Sequence, residues 1–291
     1  ESTMLVPSEA GRSAWGPVLK AELEDGVETL HLFFALSRSV TANFSNPGGD
    51  LFHKFSQDQG SSWSEAEVIL EEDAYPLYFV NQLVALPNGE WLLPVGSTAK
   101  GYPRTAGAAG LLSGIRSKGT RVWSLRATNF SLPTKPYISA ILEPAIALVD
   151  RDGSQRCFMV FRSADGVLFS TTSTDTAEQG CNHWTPPTPS MVKNPNSRPS
   201  LAWIPTSAAR KADVAPLVLA CNPDDVGISQ WPAWGNRSLL AVMSSRDGGQ
   251  SWSTTCTLAK ADQIAHCYPS VVVSADASIA IVAYSVYVTN V

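Results

Sequence analysis

The chain has 291 residues, of which 44% are hydrophobic and 16% are charged, and its formal net charge is −5. This composition is typical of a folded, β-rich domain, and the negative charge argues against nucleic acid as a partner. The longest apolar runs, at 270–273 and 279–284, are strand-sized and far shorter than the ~18 residues of a membrane span. We therefore expect a single domain over residues 1–291 with no transmembrane segment.

One eight-residue pattern, S-x-D-x-G-x-x-W, occurs twice, at 56–63 and 245–252. It predicts a tight turn in which the Asp carboxylate accepts backbone N–H groups, the Gly permits a positive φ and the Trp anchors the turn. Degenerate copies retain Ser173, Asp175, Gly180 and Trp184, or only the ends Ser117 and Trp123. Successive tryptophans of these copies are 60, 61 and 68 residues apart, a period that indicates four-stranded propeller blades.

Apolar segments with period-two alternation predict the strands of these blades in chain order. The first unit has strands at 17–23, 29–37, 50–56 and 65–70. The second has strands at 81–86, 91–97 and 111–117, and the third at 144–149, 156–162 and 167–173. The fourth has strands at 199–204, 217–221 and 238–244, and the fifth at 269–274 and 279–284.

This strand count predicts an all-β propeller in which about five blades are represented. Four full units precede about half of a fifth, and residues 1–8 look like the tail of a preceding blade. Propellers close by pairing their terminal strands, and an unclosed propeller exposes sheet edges. We therefore expect either that an N-terminal blade is missing from this sequence or that the propeller closes with five blades.

The five cysteines, at 157, 181, 221, 256 and 267, have no metal-binding spacing. Their odd number leaves at least one unpaired within the chain, and the sequence does not determine the connectivity. We expect scattered buried thiols, since free cysteine packs as a small hydrophobic residue. The four histidines are scattered as well, so we predict neither a metal site nor a cofactor.

Strand direction brings a set of polar residues to the rim opposite the S-x-D turns. That rim holds the start of the first strand, the end of the second and the start of the third in every unit. Polar groups that converge on the mouth of an apolar scaffold predict a binding site. The candidate residues on this rim are Asn81, Glu143, Arg162, Asn196, Asn222, Arg237 and Tyr268.

Two of these candidates suit nucleophilic chemistry, because Glu143 and Tyr268 begin the innermost strands of the third and fifth units. A free tyrosine is a poor nucleophile, since its pKa is about 10. A neighbouring carboxylate can take the phenol proton as the new bond develops. Arg162 and Arg237 are suited to a substrate carboxylate, which each guanidinium can bind in a bidentate manner.

With these residues the chain resembles the sialidase (neuraminidase) superfamily of six-bladed propellers, in its bacterial-type neuraminidase-repeat branch. The S-x-D-x-G-x-x-W pattern corresponds to the Asp box of that family. The resemblance extends through Trp15-Gly-Pro-Val-Leu, Asn81-Gln-Leu-Val-Ala-Leu, Leu142-Glu-Pro, Phe161-Arg-Ser, Asn194-Pro-Asn-Ser, Gly235-Asn-Arg-Ser-Leu and Tyr268-Pro-Ser-Val.

The resemblance implies that Tyr268 is a nucleophile assisted by Glu143, and that Arg162 and Arg237 belong to a clamp for the sialic acid carboxylate. Asn81, Asn196 and Asn222 are expected to bind substrate at the same rim. The resemblance implies that the first clamp arginine and the acid/base aspartate lie in the first blade of the family, which we expect to be missing from this sequence, so neither role is assigned.

Three functions are compatible with these residues. The first is a sialidase-like glycoside hydrolase that removes a terminal acidic sugar, sialic acid, from glycans with retention of configuration. The second is a catalytically inactive propeller that binds acidic glycans, and the third is a glycan-cleaving enzyme directed at uronic acid. Each implies a glycan with a terminal acidic sugar as the partner, and the sequence does not determine the compartment.

Overall fold

Antiparallel hairpins between successive segments build the chain, as the period-two alternation of its apolar residues requires. The structure, a computed structural model, describes residues 12–24, 26–37, 48–71, 77–98, 107–118, 120–126, 141–151, 153–204, 216–223, 237–261, 264–274, 276 and 278–288. Every regular element in these ranges is a β-strand, which confirms the all-β prediction. None of these ranges contains a helix long and apolar enough to cross a membrane.

The first sheet shows the plan that the later sheets repeat. Its strands are β1 (Ala14–Glu24), β2 (Val27–Leu36), β3 (Asp50–Ser56) and β4 (Glu67–Leu70). They lie side by side in chain order, and each pairs antiparallel with the next. This arrangement is that of a four-stranded propeller blade, so the sheet confirms the blade predicted for the first unit.

The second sheet departs from the prediction at its innermost edge. Its strands are β5 (Leu77–Phe79), β6 (Val84–Ala85), β7 (Trp91–Thr98), β8 (Gly107–Ser117) and β9 (Thr120–Leu125). The predicted continuous strand at 81–86 is wrong, because β5 and β6 pair with opposite ends of β7. Between them Val80 and Leu83 are buried, and Asn81 Nδ2 donates a hydrogen bond to the carbonyl oxygen of Pro144 at 2.9 Å. The backbone therefore leaves the ladder so that these side chains can contact neighbouring sheets.

The third and fourth sheets return to the four-stranded plan. The third consists of β10 (Leu142–Arg151), β11 (Ser154–Arg162), β12 (Val167–Thr172) and β13 (Thr188–Lys193). The fourth consists of β14 (Ser200–Trp203), β15 (Leu217–Cys221), β16 (Leu239–Ser245) and β17 (Ser253–Lys260).

A two-stranded sheet ends the described chain, formed by β18 (Ile264–Val273) and β19 (Ala280–Val288). The strand predicted to begin at residue 269 begins earlier, because a β-bulge between Cys267 and Ser270 lets the ladder continue past Pro269. Four complete sheets and one pair of strands agree with the prediction of about five blades.

The apolar core lies between consecutive sheets, and each of its four main clusters joins one sheet to the next. Innermost strands of successive sheets also contact each other, as β10 does with β14 and β14 with β18. Such sheet-on-sheet burial is how propeller blades are held around a centre. Pairs that share a cluster are Phe33 with Trp91, Leu92 with Met159, Phe158 with Leu219, and Val218 with Val271.

The two intact S-x-D-x-G-x-x-W turns have the same hydrogen bonds. In the first, Asp58 Oδ1 accepts the backbone N–H of Ser62 at 2.8 Å, and Trp63 Nε1 donates to the carbonyl oxygen of Gly60 at 3.1 Å. In the second, Asp247 Oδ1 accepts the backbone N–H of Ser251 at 2.9 Å. Hydrogen bonds led by that from Ser62 lower the pKa of Asp58 to about 2, so the carboxylate stays charged as an acceptor. The predicted turn is confirmed.

The degenerate copy in the third sheet carries an insertion that a disulfide closes. Asp175 still accepts two backbone N–H groups, from Asn182 at 2.6 Å and His183 at 2.9 Å. Cys157 is bonded to Cys181 at the base of this loop. The expectation of scattered thiols is therefore wrong for this pair. The other three cysteines are free, with Cys221 and Cys267 buried and Cys256 exposed.

Candidate functional site

The innermost strands of three sheets share a bulge at the residue that precedes a proline. Gly16, Glu143 and Tyr268 have φ angles of 55°, 45° and 55°, each where the strand register shifts. Positive φ is strained for a residue with a side chain, and such strain is concentrated at functional sites. A Cβ at Gly16 would lie 1.9 Å from the carbonyl oxygen of Phe79, so only glycine fits there. The other two bulges hold the predicted base and nucleophile.

Glu143 forms a buried ion pair with Arg162. Arg162 Nη1 donates to Glu143 Oε2 at 2.7 Å, and the two side chains are only 12% and 13% exposed. Burial alone would raise the pKa of Glu143, but the charges of Arg162 and Arg198 outweigh it and the pKa is lowered. The same pair raises the pKa of Arg162 against the opposing effect of burial. The pair is therefore charged on both sides at neutral pH.

Asn196 joins Arg162, the last residue of β11 in the third sheet, to Arg237, which lies just before β16 of the fourth. Its Oδ1 accepts from Arg162 Nε at 2.7 Å, and its carbonyl oxygen accepts from Arg237 Nη2 at 2.6 Å. Its own φ of 55° turns both oxygens toward the guanidinium groups. Asn196 therefore positions Arg162 and Arg237, and its contact with substrate stays a prediction.

Tyr268 lies between two guanidinium groups. The centre of its ring is 5.2 Å from the Arg198 guanidinium carbon and 5.3 Å from that of Arg237. Arg198 Nη2 also donates to the carbonyl oxygen of Tyr268 at 3.2 Å. Cations over an aromatic face are stabilised by its negative quadrupole, so this arrangement holds the ring in place.

Arg198 was missed by the sequence analysis, although a signal for it is present. It precedes Pro199, directly before β14, as Glu143 precedes Pro144 in β10 and Tyr268 precedes Pro269 in β18. The prediction took Asn196 as the first rim residue of the fourth unit and did not use Pro199 to locate the residue equivalent to Glu143 and Tyr268. A residue–proline pair within or directly before the innermost strand therefore marks three of the candidate residues, Glu143, Arg198 and Tyr268.

The two remaining predicted asparagines use their amide nitrogens to hold backbone. Asn81 Nδ2 fixes the carbonyl oxygen of Pro144, directly after Glu143. Asn222 Nδ2 donates at 2.7 Å to the carbonyl oxygens of both Leu239 and His266 and so ties the fourth sheet to the fifth. Among the described residues Asn222 Oδ1 is buried without a hydrogen-bond partner. Binding of substrate by either asparagine stays a prediction.

Three arginines act electrostatically on the one glutamate of this site. The cations that act on Glu143 come from Arg162, Arg198 and Arg237, so one carboxylate faces three guanidinium groups. Arg237 is only 3% exposed. A cluster of guanidinium groups at a rim is suited to an anionic ligand, because guanidinium binds carboxylate in a bidentate manner. No group of three or more His, Cys, Asp or Glu side chains suited to a metal ion occurs in the described ranges.

Solved structures with a similar fold include two sialidases. Trypanosoma rangeli sialidase, in complex with 2,3-difluorosialic acid as a covalent intermediate, matches with a TM-score of 0.61 and 12% identity over 96% of this chain and 43% of that one. NanB sialidase from Streptococcus pneumoniae matches with a TM-score of 0.56 and 12% identity over 91% of this chain and 52% of that one. The chain thus spans about half of the length of these sialidases.

A third similar structure is a protein of unknown function from Dyadobacter fermentans, with a TM-score of 0.61 and 14% identity over 94% of this chain and 72% of that one. At such identities the likeness shows the fold alone. No curated protein matches the chain by sequence. The BNR repeat-like domain family matches residues 1–281. The chain therefore belongs to the BNR repeat-like domain family and has the fold of a sialidase-type β-propeller.

Proposed function

We propose that the protein is a sialidase-like glycosidase that releases a terminal sialic acid from glycans with retention, using Tyr268 as the nucleophile. The observation that carries the proposal is the placement of Glu143 and Tyr268 at equivalent strained bulges beside three arginines. A retaining route needs a nucleophile and a base in one pocket, and an acidic sugar needs cations there.

The reaction is proposed to run in two displacements at the anomeric carbon. In the first, the Tyr268 oxygen bonds to that carbon, the bond to the leaving oxygen breaks, and Glu143 takes the phenol proton. In the second, water attacks the same carbon, the bond to Tyr268 breaks, the tyrosine oxygen takes back the proton held by Glu143, and the attacking water releases one proton to solvent. The donor that protonates the leaving group in the first step is not among the assigned residues, so aryl leaving groups, which need little protonation, are the most suitable test substrates.

Tyrosine suits this chemistry because of the charge of the substrate. A neutral phenol approaches an anionic sugar with less repulsion than a carboxylate would. Full ionisation of a free tyrosine at pH 7 costs about 4 kcal/mol, so a base must accept the proton as the bond forms. The lowered pKa of Glu143 keeps its carboxylate ionised and able to accept that proton.

The three arginines are proposed to hold the carboxylate of the sugar. Arg162 and Arg237 are held by Asn196, and Arg198 is held by the Tyr268 carbonyl oxygen. Guanidinium groups fixed in this way lose little entropy when they bind a carboxylate. The same cluster of three arginines supports a second candidate, a propeller that binds acidic glycans without turnover, because binding does not require the nucleophile.

The test compares release of sialic acid from an aryl α-sialoside by the wild type, Tyr268→Phe and Tyr284→Phe. Turnover that is lost in Tyr268→Phe and kept in Tyr284→Phe, a matched change on β19, is the expected result. Binding of free sialic acid by calorimetry without any turnover would instead support the glycan-binding candidate. An aryl glucuronide assayed in parallel separates a uronic acid specificity, and equal turnover by all three proteins would remove Tyr268 from the mechanism.

A further inference from the structure

Tyr78 is a second tyrosine at the proposed site, and its ring is held by a glycine on the adjacent strand. It lies on β5 directly opposite Gly96 of β7. A Cβ on Gly96 would lie 2.7 Å from Cζ of Tyr78 and 2.9 Å from its hydroxyl oxygen. The ring therefore extends across Gly96 with its hydroxyl end included, and only glycine leaves room for it there.

The surroundings of the Tyr78 hydroxyl are those of the proposed active site. Tyr78 is only 8% exposed. Burial raises its pKa, and the side chains that act on it electrostatically are Glu143, Arg162, Tyr268 and Arg198. Glu143 and Arg162 belong to the third sheet, Tyr268 belongs to the fifth, and Arg198 lies just before β14 of the fourth, so the hydroxyl lies where the sheets converge.

The Tyr78 hydroxyl is available to donate a hydrogen bond to a ligand. A buried tyrosine hydroxyl normally finds a hydrogen-bond partner, because an unpaired polar group is costly away from water. None of the hydrogen bonds between described residues involves this oxygen, and it is not one of the fully buried polar atoms that lack a partner. Its raised pKa keeps the phenol protonated across the pH range in which proteins are folded, so the group remains a neutral donor. It can therefore bind an oxygen of a ligand without altering the charge of the arginine cluster.

We propose that Tyr78 is a further substrate-binding residue, whose hydroxyl donates a hydrogen bond to an uncharged oxygen of the sugar held between Glu143 and Tyr268. This inference rests on the proposed function, which assigns the sugar to that position. The guanidinium groups already satisfy the acidic group of such a ligand, and the Tyr78 hydroxyl contributes a donor for the remainder of the ring.

The primary test is Tyr78→Phe, which removes one oxygen and keeps the ring. A hydrogen bond made equally in the ground state and the transition state raises KM without lowering kcat. We expect KM for the aryl sialoside to rise about tenfold, the loss of one neutral hydrogen bond, with kcat and the pH profile unchanged. If the protein binds without turnover, the Kd for free sialic acid should rise by the same factor.

Gly96→Ala supplies a second, independent variant. It displaces the Tyr78 hydroxyl, so it should raise KM in the wild type but cause no further rise in KM in the Tyr78→Phe background. The inference would be overturned if Gly96→Ala raised KM equally in both backgrounds, or if Tyr78→Phe kept the KM and kcat of the wild type. Either result would leave the proposed function intact. A wild type that neither binds nor cleaves the sialoside would overturn both.

Discussion

Glu143, the proposed base, is costly to the fold. Its φ of 45° is strained, its carboxylate is buried, and the positive charges of three arginines offset the effect of burial on its pKa. Breaking a buried ion pair by removing one partner usually costs several kcal/mol, because the other charge is left uncompensated. The stability of the site should therefore depend on the ionisation of this one side chain.

The resulting pH dependence has a defined sign. A carboxyl group whose pKa is lowered on folding contributes stability above its unfolded value of about 4.3, and that stability is lost as pH falls through the lowered pKa. Glu143→Gln should therefore melt at a lower temperature than the wild type at pH 6, with a difference of about 3 kcal/mol in free energy of unfolding. The difference should shrink as the pH approaches 3.

Thermal melting of both proteins between pH 3 and pH 7 measures this difference. Glu178→Gln, a matched change at an exposed glutamate, should melt like the wild type throughout. A difference between Glu143→Gln and the wild type that stays constant with pH would show that the carboxylate contributes through its shape and not through its charge.

The individual residues also show how much of the proposed site can be predicted from the sequence. Glu143, Arg162, Arg237 and Tyr268 were found from rim position and family resemblance, and the structure brings them together. Tyr78 was missed because the innermost strand of the second sheet was predicted at 81–86, which left residue 78 outside it. Periodicity cannot anticipate a strand that breaks so that its side chains reach two neighbouring sheets.

At the scale of elements, the S-x-D turns couple one sheet to the next. Gly249 of the second intact turn lies against the neighbouring third sheet, where a Cβ would be 2.4 Å from Cζ of Phe158. Its neighbour Gly248 has a similar positive φ, 70° against 87°, but a Cβ there would meet nothing within 4 Å. A comparison of the two positions therefore distinguishes the cost of backbone strain from the cost of packing between sheets.

Alanine at each position should reveal that separation. Gly248→Ala should cost about 1 kcal/mol, the usual effect of a side chain at positive φ, whereas Gly249→Ala should cost a further 1–3 kcal/mol from overpacking against Phe158. Chemical denaturation measures both losses. Because the turn lies at the opposite end of β16 from the proposed site, KM should be unchanged in either variant. An equal loss of unfolding free energy in Gly248→Ala and Gly249→Ala would mean that Phe158 moves to accept the added methyl group without cost.

At the scale of the whole molecule, the proposed site belongs to no single sheet. Tyr78 comes from the second sheet, Glu143 and Arg162 from the third, and Tyr268 from the fifth. The clusters that join consecutive sheets therefore also set the distances within the site. The repeat of the S-x-D turns was sufficient to predict this architecture, because each copy marks one sheet. The Cys157–Cys181 bond was beyond prediction, since it depends on an insertion that brings two distant residues together.

The central claim is that Tyr268 forms a bond to the sugar, and covalent trapping tests it most directly. The protein is incubated with 2,3-difluorosialic acid and the mass of its peptides is measured. The account predicts that the peptide containing Tyr268 gains the mass of one fluorinated sugar, and that Tyr268→Phe gains none. A wild type that cleaves an aryl sialoside yet carries no label on Tyr268, or carries the label on another residue, would contradict it.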